Sequence, residues 1–553
     1  MILSKLKFNH YILLCVLFGV ITTLLNYSFG TSDHLEQLPI IYKMMDSNYL
    51  INDFFVTNNA GYSPRYYYAN LIAFLSIFIS VPTLFFTGTL FSNISVSILT
   101  FLIADLLFRS KNTGIIAASF VIFLPTIQLG ADLVLYSNQF TPSSLVFPLI
   151  LFSFYLLIKK KLVYCLLTAG LASVFHILIG FEYGMLFLST SLILDVIERK
   201  KPIEILKKSS LFLIIIVFLL PNLIFHYQNN VTIDSSDFIQ ILSNYRHPHH
   251  YLLSEILTTV EVFIFIILTA LLIANFRFYK KNSSVKSHHL TINILIILIV
   301  FSCILGYFFT EIVLVKSIVI LQPLRLLNLI KWIFILLLAN FIAKNLNKPL
   351  KLVPSFLMII FLIFFSELSI IKTTAVGILF GTFIFLLILE KKKLLYILSS
   401  FVLVSLLIFN TIDNSQVKKY QKSYFDFHET NIKQTHIIDF IKINTNKNSV
   451  FLTPSDFGFI RTEAKRAIVI DFKAFPFKET AILQWYQRIE DCYGLNKKTF
   501  EKEYKNLNDS KIAALQTKYR FDYAILYQET FTKNPIIYSN SEFKIIITES
   551  NAK

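Results

Sequence analysis

The stretch MILSKLKFNHYILLCVLFGVITTLLNYSFG (1–30) opens on lysines at 5 and 7 and then runs apolar for about 20 residues, close to the length that spans a bilayer. It has no small-residue cleavage site, so it reads as a retained signal-anchor helix. The same pattern repeats along the chain. Further apolar runs fall near 92–108, 113–129, 143–158, 162–177, 181–197, 209–225, 253–276, 290–308, 324–343, 352–367, 373–390 and 394–410, which makes thirteen expected crossings. A run at 69–90 is ambiguous: it reads as a helix lying along the membrane or as part of an extra hairpin. With 55% hydrophobic residues and a mean hydropathy of +0.63, this 553-residue chain is too apolar for a soluble globular protein.

Its net charge of +17 belongs to topology. With the N-terminus cytoplasmic, the inner links hold 22 lysines and arginines, whereas the outer links hold only Lys43, Arg65, Arg246, Lys316 and Lys372. No basic and aromatic face remains for nucleic acid, which is excluded as a partner. Cys15, Cys165 and Cys303 lie in apolar segments and Cys492 stands alone, so neither a disulfide framework nor a CxxC metal site follows. The boundary falls at 413: residues 1–413 form a transmembrane helical domain, and 414–553 an extracytoplasmic α/β domain. In that tail, helices near 429–443, 478–490 and 509–519 alternate with strands NSVFLT, AIVID and DYAILYQ and a closing pair around PIIY and FKIIIT. The pattern predicts a largely parallel sheet.

Candidate chemistry collects in the outer links. Asp33 follows the first helix, with Glu36 one turn on, and acids there polarise a hydroxyl or hold a divalent cation. The bland alternative is a solvated helix end. Asp132 is the only charge in the second outer link. His176 and Glu182 share the turn of a short hairpin, either facing a common cavity or with the histidine satisfied by backbone. In YRHPHHY (245–251), Pro248 is expected to hold the chain extended and to splay His247, His249 and His250. That disfavours zinc and leaves Arg246 with imidazole donors as a phosphate site. Arg325 in QPLRLL (322–327) is a second phosphate candidate, its alternative being snorkelling to headgroups. In the tail, Arg461, Arg466, Asp471 and Lys473 sit around strand ends where ligands bind in such sheets, with structural ion pairing equally open.

The acid after the first helix, the acid in the second outer link, the thirteen crossings and the outward C-terminal domain together resemble the C-type (GT-C) membrane glycosyltransferases. RHPHHY, QPLR, FGFIRTEAKRAIVIDFKAFPF (457–477) and WYQRIEDCYG (485–494) resemble more narrowly a bacterial family of uncharacterised membrane proteins with a C-terminal domain of unknown function. The broad resemblance implies transfer of a sugar from a polyprenyl-phosphate or polyprenyl-diphosphate donor at the outer face of the cytoplasmic membrane. It implies Asp33 as the base or acceptor-orienting acid, and Asp132 as a metal or acceptor partner. A divalent cation is the cofactor in view. No WWDYG-like motif is present, which disfavours oligosaccharyl transfer to protein. A transporter or flippase of an anionic lipid-linked substrate, and a noncatalytic membrane assembly factor, remain alternatives. Transfer requires that the acids and the cations meet in one outward pocket.

Overall fold

The structure, a computed structural model, describes residues 7–61, 63–124, 129, 135–228, 235–257, 260–278, 286–345 and 432–548. The last three expected crossings, together with Asp132, lie outside the described residues. Among the described residues six helices are long and apolar enough to cross a membrane: Phe8–Asn26, Val81–Phe108, Ile177–Ile197, Pro202–Phe225, His288–Ile312 and Lys316–Asn345. Shorter apolar helices occupy Lys111–Phe123, Pro142–Ile158 and Leu162–Phe175. The chain is a multi-pass membrane protein of the expected class, a mainly helical bundle with a small α/β C-terminal domain.

The ambiguous run at 69–90 is divided. Tyr66–Leu75 is a short helix, and a turn then leads into Val81–Phe108, which absorbs the run expected to start at 92. Pro82 sits in the first turn of that helix, where its missing N–H costs nothing. One helix of spanning length therefore lies between 66 and 109.

The chain divides into two compact units that do not follow its linear order. The first gathers the long apolar helices. Its core includes Trp332, fully buried, with its indole N–H donating to Thr100 Oγ1 at 3.1 Å and its ring edge-on to Phe154. Bilayer lipid is as apolar as leucine, so helix contact here depends on close approach of small residues. Gly19 meets the Ile94 backbone where any Cβ would come within 2.6 Å, and Gly180 packs on Ser173 more tightly still.

The second unit joins the long loop after the first helix (28–86), and residues 221–228, to the C-terminal domain (432–548). Five strands form its sheet: β1 Val450–Leu452, β2 Ala467–Ile468, β3 Tyr523–Tyr527, β4 Ile536–Ser539 and β5 Phe543–Ile547, in the order β2-β1-β3-β5-β4. All five predicted strands exist, but the sheet is mixed: β1 pairs in parallel with β2 and β3, while β5 runs antiparallel to β3 and β4. A short hairpin can only return antiparallel, which is why the closing pair breaks the parallel pattern. Helices Ile432–Asn444, Glu479–Tyr493 and Asp509–Tyr519 match expectation, and Phe500–Lys505 is additional. Ile437, Ile441, Phe451, Ile460, Ile525 and Ile545 are fully buried between helix and sheet.

Candidate functional site

In the first unit the YRHPHHY segment is not extended. A π-helical turn, Gln240–Arg246, leads through His247 into a helical turn over Pro248–Tyr251. The His250 N–H donates to His247 O at 2.9 Å, and the Leu252 N–H to Pro248 O at 2.9 Å. Pro248 occupies the first position of that turn, where its fixed φ favours helix and no donor is lost. The expectation of an extended Pro248 failed because proline suits both conformations.

The consequence is convergence. His247 and His250 rings lie 5.2 Å apart by centroid, His249 and His250 4.1 Å, and His247 and His249 6.2 Å. Arg246, buried, places Nη1 3.4 Å from His247 Nδ1. Burial first, then the positive charge of Arg246 and its neighbours, holds the His247 imidazole well below its usual range, so it is neutral at physiological pH.

Arg325 reaches the same cluster through a short relay. Gln322 has a left-handed backbone, φ 53°, and leads into the 3₁₀ turn Pro323–Leu326. Its side-chain carbonyl accepts from Arg325 Nε, while its amide donates to the Tyr251 hydroxyl. Tyr251 in turn lies 6.5 Å from the His247 ring. Arg325 also supplies its backbone carbonyl to Tyr183 Oη at 3.4 Å. The residue immediately before that tyrosine is Glu182, on which the charge of Arg325 acts. Both Glu182 oxygens are buried with no hydrogen-bond partner among the described residues. Arg246, His247, His249, His250 and Arg325 are thus brought together, with Tyr251, Gln322 and Glu182 as companions. His176 instead caps the helix Ile177–Ile197, its Nδ1 accepting the Ile179 N–H at 3.4 Å.

In the second unit the predicted residues form a different arrangement. Arg461, with no exposure, donates from Nε to Asp53 Oδ2 at 2.7 Å and from Nη1 to Asp471 Oδ1. Burial alone would lower the Arg461 pKa, but Asp471 and Asp53 hold it above its usual range. Asp53 also caps the helix Phe54–Asn59 through the Val56 N–H and accepts the Ile468 N–H at 3.0 Å. Arg466 donates to the backbone carbonyls of Ile441, Lys442 and Thr445, closing the end of the helix Ile432–Asn444. These contacts are internal to the fold. Asp53 was not singled out beforehand, and an Asp preceding a short apolar helix is a capping signal that reveals nothing of a partner 408 positions away.

Asp33 stands at the start of the helix His34–Met45, half-buried, with its Oδ1 2.6 Å from Lys473 Nζ. Burial pushes its carboxyl up, but Lys473 and Arg65 outweigh it and hold the group below its ordinary value. Glu36, one turn on, is buried and pairs with Arg65 at 2.7 Å, and Arg65 lies over the Phe477 ring. Asp33 and Glu36 therefore share a helix end as expected, each answered by a cation.

Residues 434–492 match a family described as a domain of unknown function, DUF6798. No curated protein matches the chain. Among solved structures the chain is similar to ArnT from Cupriavidus metallidurans bound to undecaprenyl phosphate, at 12% identity and a TM-score of 0.47, covering 97% of each chain. It is also similar to the apo state of the same protein, at 11% identity and TM-score 0.47, covering 97% of this chain and 96% of that one.

Proposed function

We propose that this membrane protein transfers a glycosyl group from a polyprenyl-phosphate or polyprenyl-diphosphate donor to an acceptor hydroxyl at the outer face of the cytoplasmic membrane. In that orientation its N-terminus lies inside and its C-terminal domain outside. The observation that carries the reading is the gathering of Arg246, Arg325 and three imidazoles in the helical unit. A dianionic phosphate is the ligand that such a group suits best, because guanidinium forks match phosphate oxygens and a low-dielectric setting strengthens each contact.

During transfer the acceptor oxygen bonds to the anomeric carbon as the bond from that carbon to the phosphate oxygen breaks. Negative charge then grows on the leaving phosphate. Arg246 and Arg325 counter that charge, which lowers the barrier provided they bind the leaving group more strongly than the intact donor. The proton released by the acceptor hydroxyl passes to the freed phosphate, which balances the step.

The test is binding of a short-chain polyprenyl phosphate to purified protein in nanodiscs. Replacing Arg246 and His250 together by alanine is expected to weaken binding by roughly 100-fold or more, two charge-assisted contacts being lost. Unchanged binding in a folded double variant removes the reading.

A further inference from the structure

Splayed imidazoles were the reason to set zinc aside, and the helical turn after Pro248 removes that reason. One ring nitrogen from each of His247, His249 and His250 lies within 4.8 Å of the other two. Zinc holds nitrogens at about 2.0–2.1 Å, so in a tetrahedral site they stand roughly 3.4 Å apart. The widest pair therefore needs to close by at most about 1.4 Å. The backbone is already fixed by the His250-to-His247 and Leu252-to-Pro248 hydrogen bonds.

We propose that His247, His249 and His250 form a three-nitrogen site for a divalent cation of the zinc class, leaving at least one coordination position for an external oxygen ligand. Arg246 opposes the ion in two ways. Its positive charge repels a cation, and its Nη1 at 3.4 Å from His247 Nδ1 competes for that nitrogen. The ion is therefore held best when an anionic oxygen, such as hydroxide or phosphate, fills the open position and offsets the guanidinium charge. Zinc and phosphate then strengthen each other's binding, since such coupling is reciprocal.

The inference goes beyond the phosphate reading and is separable from it, because the metal is measured first with no phosphate present. The full chain, purified in detergent and stripped with chelator, is titrated with Co²⁺ alone and then with Zn²⁺. Expected is one saturable cobalt site per chain with the visible absorption of a four-coordinate ion, bleached by zinc. In H249Q and in H250Q affinity falls by roughly 100-fold or more, whereas H436Q, outside the cluster, binds as wild type. Adding inorganic phosphate tightens zinc binding to the wild type. Absence of a saturable cobalt site in the wild type overturns the proposal, as does equal binding by the H247Q/H249Q/H250Q triple variant. Should that variant fail to fold, wild-type protein alone decides: zinc shields these three rings from diethylpyrocarbonate, and equal labelling with and without zinc overturns the site. Phosphate binding that survives chelation leaves the phosphate reading standing while the metal site falls.

Discussion

The two arginine groups of this protein differ in how their charge is answered. Arg461 lies between two carboxylates, Asp53 and Asp471, with no exposure. Arg246 is also buried, and its described neighbours include three histidines and the positive Arg325, whose charge acts on Glu182. Burying charge is costly unless it is paired. Arg461 is matched by carboxylates, whereas Arg246 stands beside imidazoles and a second guanidinium, the setting from which the phosphate reading proposed above is drawn.

The largest test of that contrast is R461A. It leaves two buried carboxylates without their shared cation and is expected to cost about 3–5 kcal/mol, read as a large fall in Tm of the full chain. The next concerns acid. The folded His247 pKa lies below the ordinary 6.5, so as pH falls through that value the unfolded chain takes up a proton that the folded chain refuses. Stability is then lost toward lower pH, with a slope of up to about 1.4 kcal/mol per pH unit. Melting profiles of wild type and H247Q check the sign, since the variant should be flatter and a parallel pair of curves breaks the account. A smaller effect is expected for R246A, within about 1 kcal/mol, because it removes one positive charge from among others. If R246A destabilises as much as R461A, the two groups are alike and the distinction fails. The smallest effect belongs to K473A. Its pair with Asp33 is half-exposed, so removal should cost well under about 1 kcal/mol. The carboxyl titration of Asp33, followed by infrared difference spectra, should move upward even so.

Much of the fold was legible in the sequence because hydrophobic runs and strand alternation are local signals. Each described apolar run became a helix, though the one expected at 92 begins at Val81 and the one expected at 253 at Val260, and all five strands of the tail were placed. Division of 69–90 at a turn before Val81 was not legible, since an unbroken apolar composition hides where a chain bends. The cationic cluster was legible as composition but not as shape. Pro248 permits a helical start or an extended segment, and hydrogen bonds beyond it decide between them. The Asp53–Arg461 pair was illegible, because nothing in either local stretch encodes a partner so distant along the chain.

That distance bears on biogenesis. Asp53 and Arg461 are separated by 408 residues, which at about 5–20 residues per second means a wait of roughly 20–80 s between the ribosome's addition of one and of the other. Throughout that interval the loop at 28–86 lacks the strands and the guanidinium it folds against, so nascent chains expose an acid and an apolar surface that a chaperone can grip. A chain cut short before the last hundred residues lacks Arg461 and leaves Asp53 without that guanidinium.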